Sequence, residues 1–217
     1  MKQITFYLDF ISPYAYLAFE ALPEALQGLS YSVAYKPVFL GALLKHTGVL
    51  GPAEVPSKRN WVYRQTQWLA QQQGVSLDMP AVHPFNPLGL LRLAIATDPK
   101  GQPNRYVCET LFRHVWVGGA DAADAQRLAA ITQTLAPAQD PAGEGVRAAL
   151  KLHGDQAIAA EVFGVPAFEV DGKLFWGLDA LPMLRAYLDG DGWFETPCWD
   201  QAPQLPSGLA PRKAPNF

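Results

Sequence analysis

The sequence predicts an α/β fold in which a β-α-β start and a β-β-α finish form one domain, interrupted by an all-helical insertion. Three observations predict it. Apolar residues alternate with polar ones at the N-terminus, strand character nearly vanishes between about Leu40 and His153, and it returns in "AFEVDGKLFWG" at residues 167–177. The boundaries read from these changes are 1–39 and 154–190 for the α/β domain, 40–153 for the helical insertion and 191–217 for an irregular C-terminal tail.

In "ITFYLDF", Ile4, Phe6, Leu8 and Phe10 face one way and Thr5, Tyr7 and Asp9 the other, which is the period of a strand. "PYAYLAFEALPEAL" then places Tyr16, Leu17, Phe19, Ala21 and Leu22 on a helical stripe, with a bend or break expected at Pro23. A second strand, "SYSVAYKPVF", follows, so strand, helix and strand imply a parallel pair with a right-handed crossover. Four helices are read in the insertion: "WVYRQTQWLAQQQG", "PLGLLRLAIAT", "RYVCETLFRHVWVGG" and "ADAQRLAAITQTLA", separated by turns such as "DPKGQP" and "APAQDPAGEG". Asp171-Gly172 between short apolar runs reads as a two-residue hairpin turn, and a last helix spans Leu178 to Leu188. The tail from Asp189 on, rich in proline and glycine, is expected to wrap the surface or stay partly disordered.

Composition narrows the function. At 217 residues the chain buries a sizeable core, and a net charge of −3 leaves no basic excess to neutralise phosphates, which argues against nucleic acid as a partner. No apolar run reaches the roughly 20 residues of a membrane span and no secretory signal is read at the start, so a cytoplasmic location is expected. Cys108 and Cys198 lie 90 positions apart, and His46, His83, His114 and His153 are scattered, which suggests neither a disulfide framework nor a metal site. Each histidine reads as a surface or packing residue.

Ser12, followed by Pro13, fits a helix N-cap and first helical position. Its hydroxyl either caps the helix or holds a reacting group at the positive end of the helix dipole. The same corner carries no thiol, so dithiol exchange is excluded there.

Five stretches, in order and with matching gaps, resemble one family: "DFISPYAYLA", "ALLKHTGVLGPAEVPSKR", "HPFNPLGLLRLA", "LFRHVWVGGADAAD" and "EVFGVPAFEVDGKLFWGLDAL". They are similar to the 2-hydroxychromene-2-carboxylate isomerases and the related kappa-class glutathione transferases, whose DsbA-like thioredoxin fold is a thioredoxin-like domain carrying a helical insert. Ser12 and Ala15 stand where redox relatives carry the two cysteines. The resemblance implies glutathione as cofactor, its thiol activated by Ser12 and its backbone held by Val165, before a cis Pro166. It further implies that Leu178 lies in the cofactor site, that Asp179 meets the γ-glutamyl ammonium and that Lys58 faces the glycyl carboxylate. On the residues alone, Asp179 is equally an acid favoured by the dipole and Lys58 an exposed charge. Tyr14, Asn86 and Trp176 are candidates for an aromatic acid substrate, with turn or packing roles as their alternatives. Val49 and Ala180 depart from the pattern, which has asparagine and arginine there.

The resemblance implies cis-trans isomerisation of an aromatic enone or hydroxychromene carboxylate by reversible thiolate addition, in a possible homodimer. A kappa-class-like transferase and a non-catalytic peptide-binding module are the alternatives.

Overall fold

A computed structural model describes residues 1–206 and 208. Strand β1 (Lys2–Leu8) leads through a tight corner into α1 (Pro13–Ala25) and then β2 (Tyr31–Pro37). The insertion follows with α2 (Leu40–Thr47), a 3-10 turn (Pro52–Glu54), α3 (Pro56–Gln73), α4 (Leu88–Ala96), α5 (Arg105–Trp116), α6 (Ala125–Leu135) and α7 (Glu144–Ala159). Strands β3 (Ala167–Val170) and β4 (Lys173–Trp176), a 3-10 turn (Leu178–Ala180) and α8 (Leu181–Leu188) complete the α/β part.

The sheet order is β2-β1-β3-β4, with β1 parallel to β2 and antiparallel to β3. Ile4, Phe6 and Leu8 enter the larger core beneath α1, where Phe6 stacks on Phe168 at 4.5 Å. Tyr7 and Ala167 face a second core with Val38, Leu43, Ala157 and Val162. Asp171 and Gly172 both take positive φ, 51° and 76°, as the predicted two-residue hairpin turn requires.

Pro23 does not break α1, which runs on to Ala25. Proline lacks the N–H that would reach the Phe19 carbonyl one turn back. The Arg105 guanidinium supplies a replacement, donating to that oxygen at 3.4 Å while lying 4.2 Å over the Phe19 ring. Two helices, α2 and α7, exist beyond the four read from sequence. Helix α2 is short and its N-cap, Phe39, offers no capping side chain; the Asp9 carboxylate across the fold accepts from Leu40 N at 2.9 Å instead. Helix α7 buries Val146, Leu150, His153 and Ala157, a helical spacing that a histidine and an alanine conceal. It runs unbroken through residues 153 and 154 and packs on β2 and α2 as well as α4.

The tail is also more ordered than expected through Gln204. Turns at Gly192–Glu195 and Ala202–Gln204 flank α9 (Pro197–Gln201). Phe194 and Trp199 sit 6.0 and 5.9 Å from the Phe175 ring, so aromatic packing replaces the missing periodicity. The expectation for 207 and 209–217 lies outside the described residues.

Candidate active site

The candidate site lies at one edge of the sheet, where β1, β3 and β4 align in the row Tyr7, Ala167 and Trp176. Beyond this row lie the corner at residues 9–12, the loop carrying Val165 and Pro166, and the turn after Trp176. Gly177 N donates to Pro166 O at 2.9 Å and joins the last two. The Val165-Pro166 bond is cis.

Ser12 is 7% exposed. Its Oγ accepts from Ala15 N at 3.2 Å, the N-cap bond, and donates to Val165 O at 3.4 Å. The second bond is long for O–H···O, so the hydroxyl proton is only loosely committed. Pro13, at the first helical position, needs no acceptor, and the remaining orphan amides of α1 present partial positive charge beside Ser12. No described residue accepts from the Val165 amide. The corner therefore offers a hydroxyl donor, a helix N-terminus and an unpaired backbone donor together, an arrangement suited to an anion.

Asp9, missed as a site residue, is wholly buried three positions before Ser12. Its carboxylate accepts from Leu40 N at 2.9 Å and Ile11 N at 3.2 Å, tying the corner to α2. Burial pushes the Asp9 carboxyl up to about 7 despite those donors, which favour the anion, so desolvation wins. Its signal in sequence is an acidic residue set between Leu8 and Phe10, directly after the strand.

Tyr14, in the first turn of α1, donates to Gln65 Oε1 on α3 at 2.6 Å. Burial first, and then the Asp179 carboxylate, push its phenol above the ordinary value. Asp179 lies in the Leu178–Ala180 turn, which packs on α1 and is joined to the cis-proline loop through Gly177, and it has no hydrogen-bond or ion-pair partner among the described residues. Gly177, at φ 102°, takes a backbone conformation that residues with a side chain rarely adopt, and a Cβ there would push the Asp179 carboxylate aside. Leu178 is half-buried against the main core.

Lys58 lies in the first turn of α3 beside a shallow depression of about 390 Å³ lined with it by Pro52, Ser57, Trp61 and Val62. It joins no ion pair among the described residues. Positions 58 and 65 are seven apart, so Lys58 lies on the same face of α3 as Gln65, about 10 Å along the axis from the bond to Tyr14. Trp176 is 53% exposed, stacked on Phe163 at 4.8 Å and leaning over Gly164, beside the cis-proline loop. Asn86 is exposed and its Oδ1 accepts from Leu88 N at 3.0 Å, which is a capping role for α4; no described contact joins it to the corner. Val49, another exposed residue, lies just beyond α2, while Ala180 is half-buried at the end of its turn. The structure thus gathers Ser12, Val165, Pro166, Tyr14 and Asp179, sets Trp176 at the rim and Lys58 along α3, and leaves Asn86 as a helix cap.

Comparison with known proteins places this geometry among relatives. The family model of the DSBA-like thioredoxin domain matches residues 3–189. A 2-hydroxychromene-2-carboxylate isomerase from Sphingobium xenophagum is 29% identical over 198 residues, 86% of this chain and 98% of that protein. Glutathione S-transferase kappa 1 of Rattus norvegicus is 26% identical over 211 residues, 88% of this chain and 92% of that protein. A solved 2-hydroxychromene-2-carboxylate isomerase structure superposes with a TM-score of 0.73 at 22% identity, covering 94% of this chain and 100% of that one; it speaks for the fold.

Proposed function

The chain belongs to the family of DSBA-like thioredoxin domains, and on that premise we propose that it is a glutathione-dependent isomerase of an aromatic enone or hydroxychromene carboxylate. The observation that carries the reading is the Ser12 corner: a buried hydroxyl at a helix N-terminus, beside the cis-proline loop, with no thiol of its own.

The residues present fit glutathione. The Val165 amide lacks an acceptor, and Asp179 and Lys58 offer opposite charges without partners among the described residues. Lys58 lies about 10 Å along α3 from the Tyr14 contact, comparable to the length of an extended tripeptide at roughly 3.3–3.6 Å per residue. In this reading Asp179, with Leu178 beneath, holds the ammonium end, Val165 the central backbone and Lys58 the terminal carboxylate. Bound glutathione would supply a thiolate that adds reversibly to a conjugated double bond, frees it to rotate and then leaves.

Ser12 performs the activation. One of its lone pairs accepts from Ala15 N, its single proton is free to donate elsewhere, and turning that proton from Val165 O toward a sulfur exchanges a 3.4 Å bond for a charge-assisted one. The α1 dipole adds to the stabilisation of negative charge at the same point, where a thiol near pKa 8.5 is otherwise mostly protonated. Trp176 and Tyr14 contribute aromatic surface for a planar substrate.

The kappa-class relative supports a second reading on the same site, conjugation by a transferase. Calorimetric titration with glutathione, followed by product analysis on a hydroxychromene carboxylate, separates the possibilities. Saturable binding with glutathione recovered unchanged supports the isomerase, stoichiometric consumption supports the transferase, and absence of binding removes both.

A further inference from the structure

The corner's backbone is held by side chains of the helical insertion. Trp116 at the end of α5, wholly buried, donates its Nε1–H to Phe10 O at 2.9 Å. His83, on the loop before α4, places Nε2 2.9 Å from Ile11 O. The two rings touch at 5.5 Å between centroids. Both carbonyls immediately before Ser12 are thus taken by ring donors, and on the other side of the same residue Ile11 N donates to the Asp9 carboxylate at 3.2 Å.

The hydrogen-bond chemistry defines the imidazole. A carbonyl only accepts, so Nε2 carries the proton and Nδ1 is bare. The Tyr63 hydroxyl on α3 then donates to Nδ1 at 2.7 Å, with the His83 carbonyl 3.0 Å away as a second acceptor. Burial lowers the His83 pKa from 6.5; the bond to Ile11 O opposes that shift and the Arg59 charge adds to it, and the net lowering is in keeping with a neutral ring at neutral pH.

We propose that His83 and Trp116 are positioning residues through which the helical insertion orients the Ser12 hydroxyl, with Tyr63 holding His83 in its Nε2–H tautomer. The corner is a four-residue link between β1 and α1, closed by one backbone bond from Ser12 N to Asp9 O at 3.1 Å and outside any sheet ladder. A rotation of the Ile11-Ser12 peptide swings the Ser12 side chain away from Val165, and the two ring donors oppose that rotation from outside the thioredoxin-like domain. The inference rests on Ser12 as the group that activates a bound thiol, but the clamp itself is read without any ligand.

Three variants test it: His83→Phe, which keeps a ring and loses the donor; His83→Gln, whose amide nitrogen reaches the position of Nε2; and Tyr63→Phe. In ligand-free protein, His83→Phe is expected to speed amide exchange at Ile11 and Ser12 by about tenfold or more, with His83→Gln close to wild type. With glutathione and substrate, His83→Phe is expected to lower kcat by about tenfold, change KM by less than about threefold and shrink the downward shift of the bound thiol's pKa, and His83→Gln to restore most of each. A space-filling histidine predicts the reverse order, phenylalanine like wild type and glutamine worse, and that result overturns the proposal. Should His83→Phe fail to fold, Tyr63→Phe decides: faster corner exchange supports the clamp and wild-type exchange overturns it. If wild-type protein binds no glutathione, the functional reading of the site fails, while corner exchange still decides the clamp.

Discussion

Replacing Ser12 by alanine removes one oxygen with two separable jobs. As a cap it satisfies Ala15 N at 3.2 Å, and loss of such a cap costs about 1 kcal/mol. The bond to Val165 O, at 3.4 Å, adds little because it lies beyond the usual O–H···O range. For a chain of this size about 1 kcal/mol lowers Tm by about 2–4 °C, so Ser12→Ala stays folded. Turnover is expected to fall by about 10²-fold, equivalent to about 2.7 kcal/mol of transition-state stabilisation, since the hydroxyl placed to meet the thiolate is gone. Thermal melts and steady-state kinetics on the same preparation read the two quantities, and the catalytic loss must exceed the stability loss. A folded Ser12→Ala protein with wild-type turnover would refute the catalytic role and leave Ser12 as a cap.

Lys58→Ala is expected to weaken glutathione binding by about three- to tenfold, the modest cost of an exposed charge-assisted contact, and raising the salt concentration should narrow the difference in calorimetric titrations. Gly177→Ala combines a φ of 102° with a collision at Asp179. It should lower stability by about 1–3 kcal/mol in denaturant unfolding and weaken glutathione binding as the carboxylate is displaced. Asp9 predicts a pH dependence: its folded carboxyl keeps the proton to about 7, whereas 3.8 is the ordinary value, so the folded state binds more protons between them. Stability should therefore fall as pH rises through that window, and Asp9→Asn should flatten the slope; unfolding curves that keep the wild-type slope in the variant would contradict this.

What was legible in the sequence had local causes. Ser12 before Pro13 announces a helix start, and Asp171-Gly172 a two-residue turn, because the residues that determine each conformation are the residues that adopt it. Helix α2 was missed because Asp9, 31 residues away, does the capping. The continuation of α1 past Pro23 was hidden for the same reason, since the compensating Arg105 reaches back 86 positions to Phe19 O. In the site, the corner and the cis-proline loop could be read from motifs. The links that gather the rest, Tyr14 to Gln65 and Asp179 beside Tyr14, join helices whose packing no periodicity specifies. The ring donors on Phe10 and Ile11 come from 106 and 72 residues away, and His83 reads in sequence as a surface or packing residue.

The central claim, that this corner activates a thiol it does not itself supply, is tested most directly by titrating the far-ultraviolet thiolate absorbance of glutathione bound to the wild-type protein. The account predicts a thiol pKa at least about one unit below that of free glutathione, equivalent to about 1.4 kcal/mol in favour of the thiolate. Glutathione that saturates the protein while its thiol titrates as it does in free solution would contradict the account.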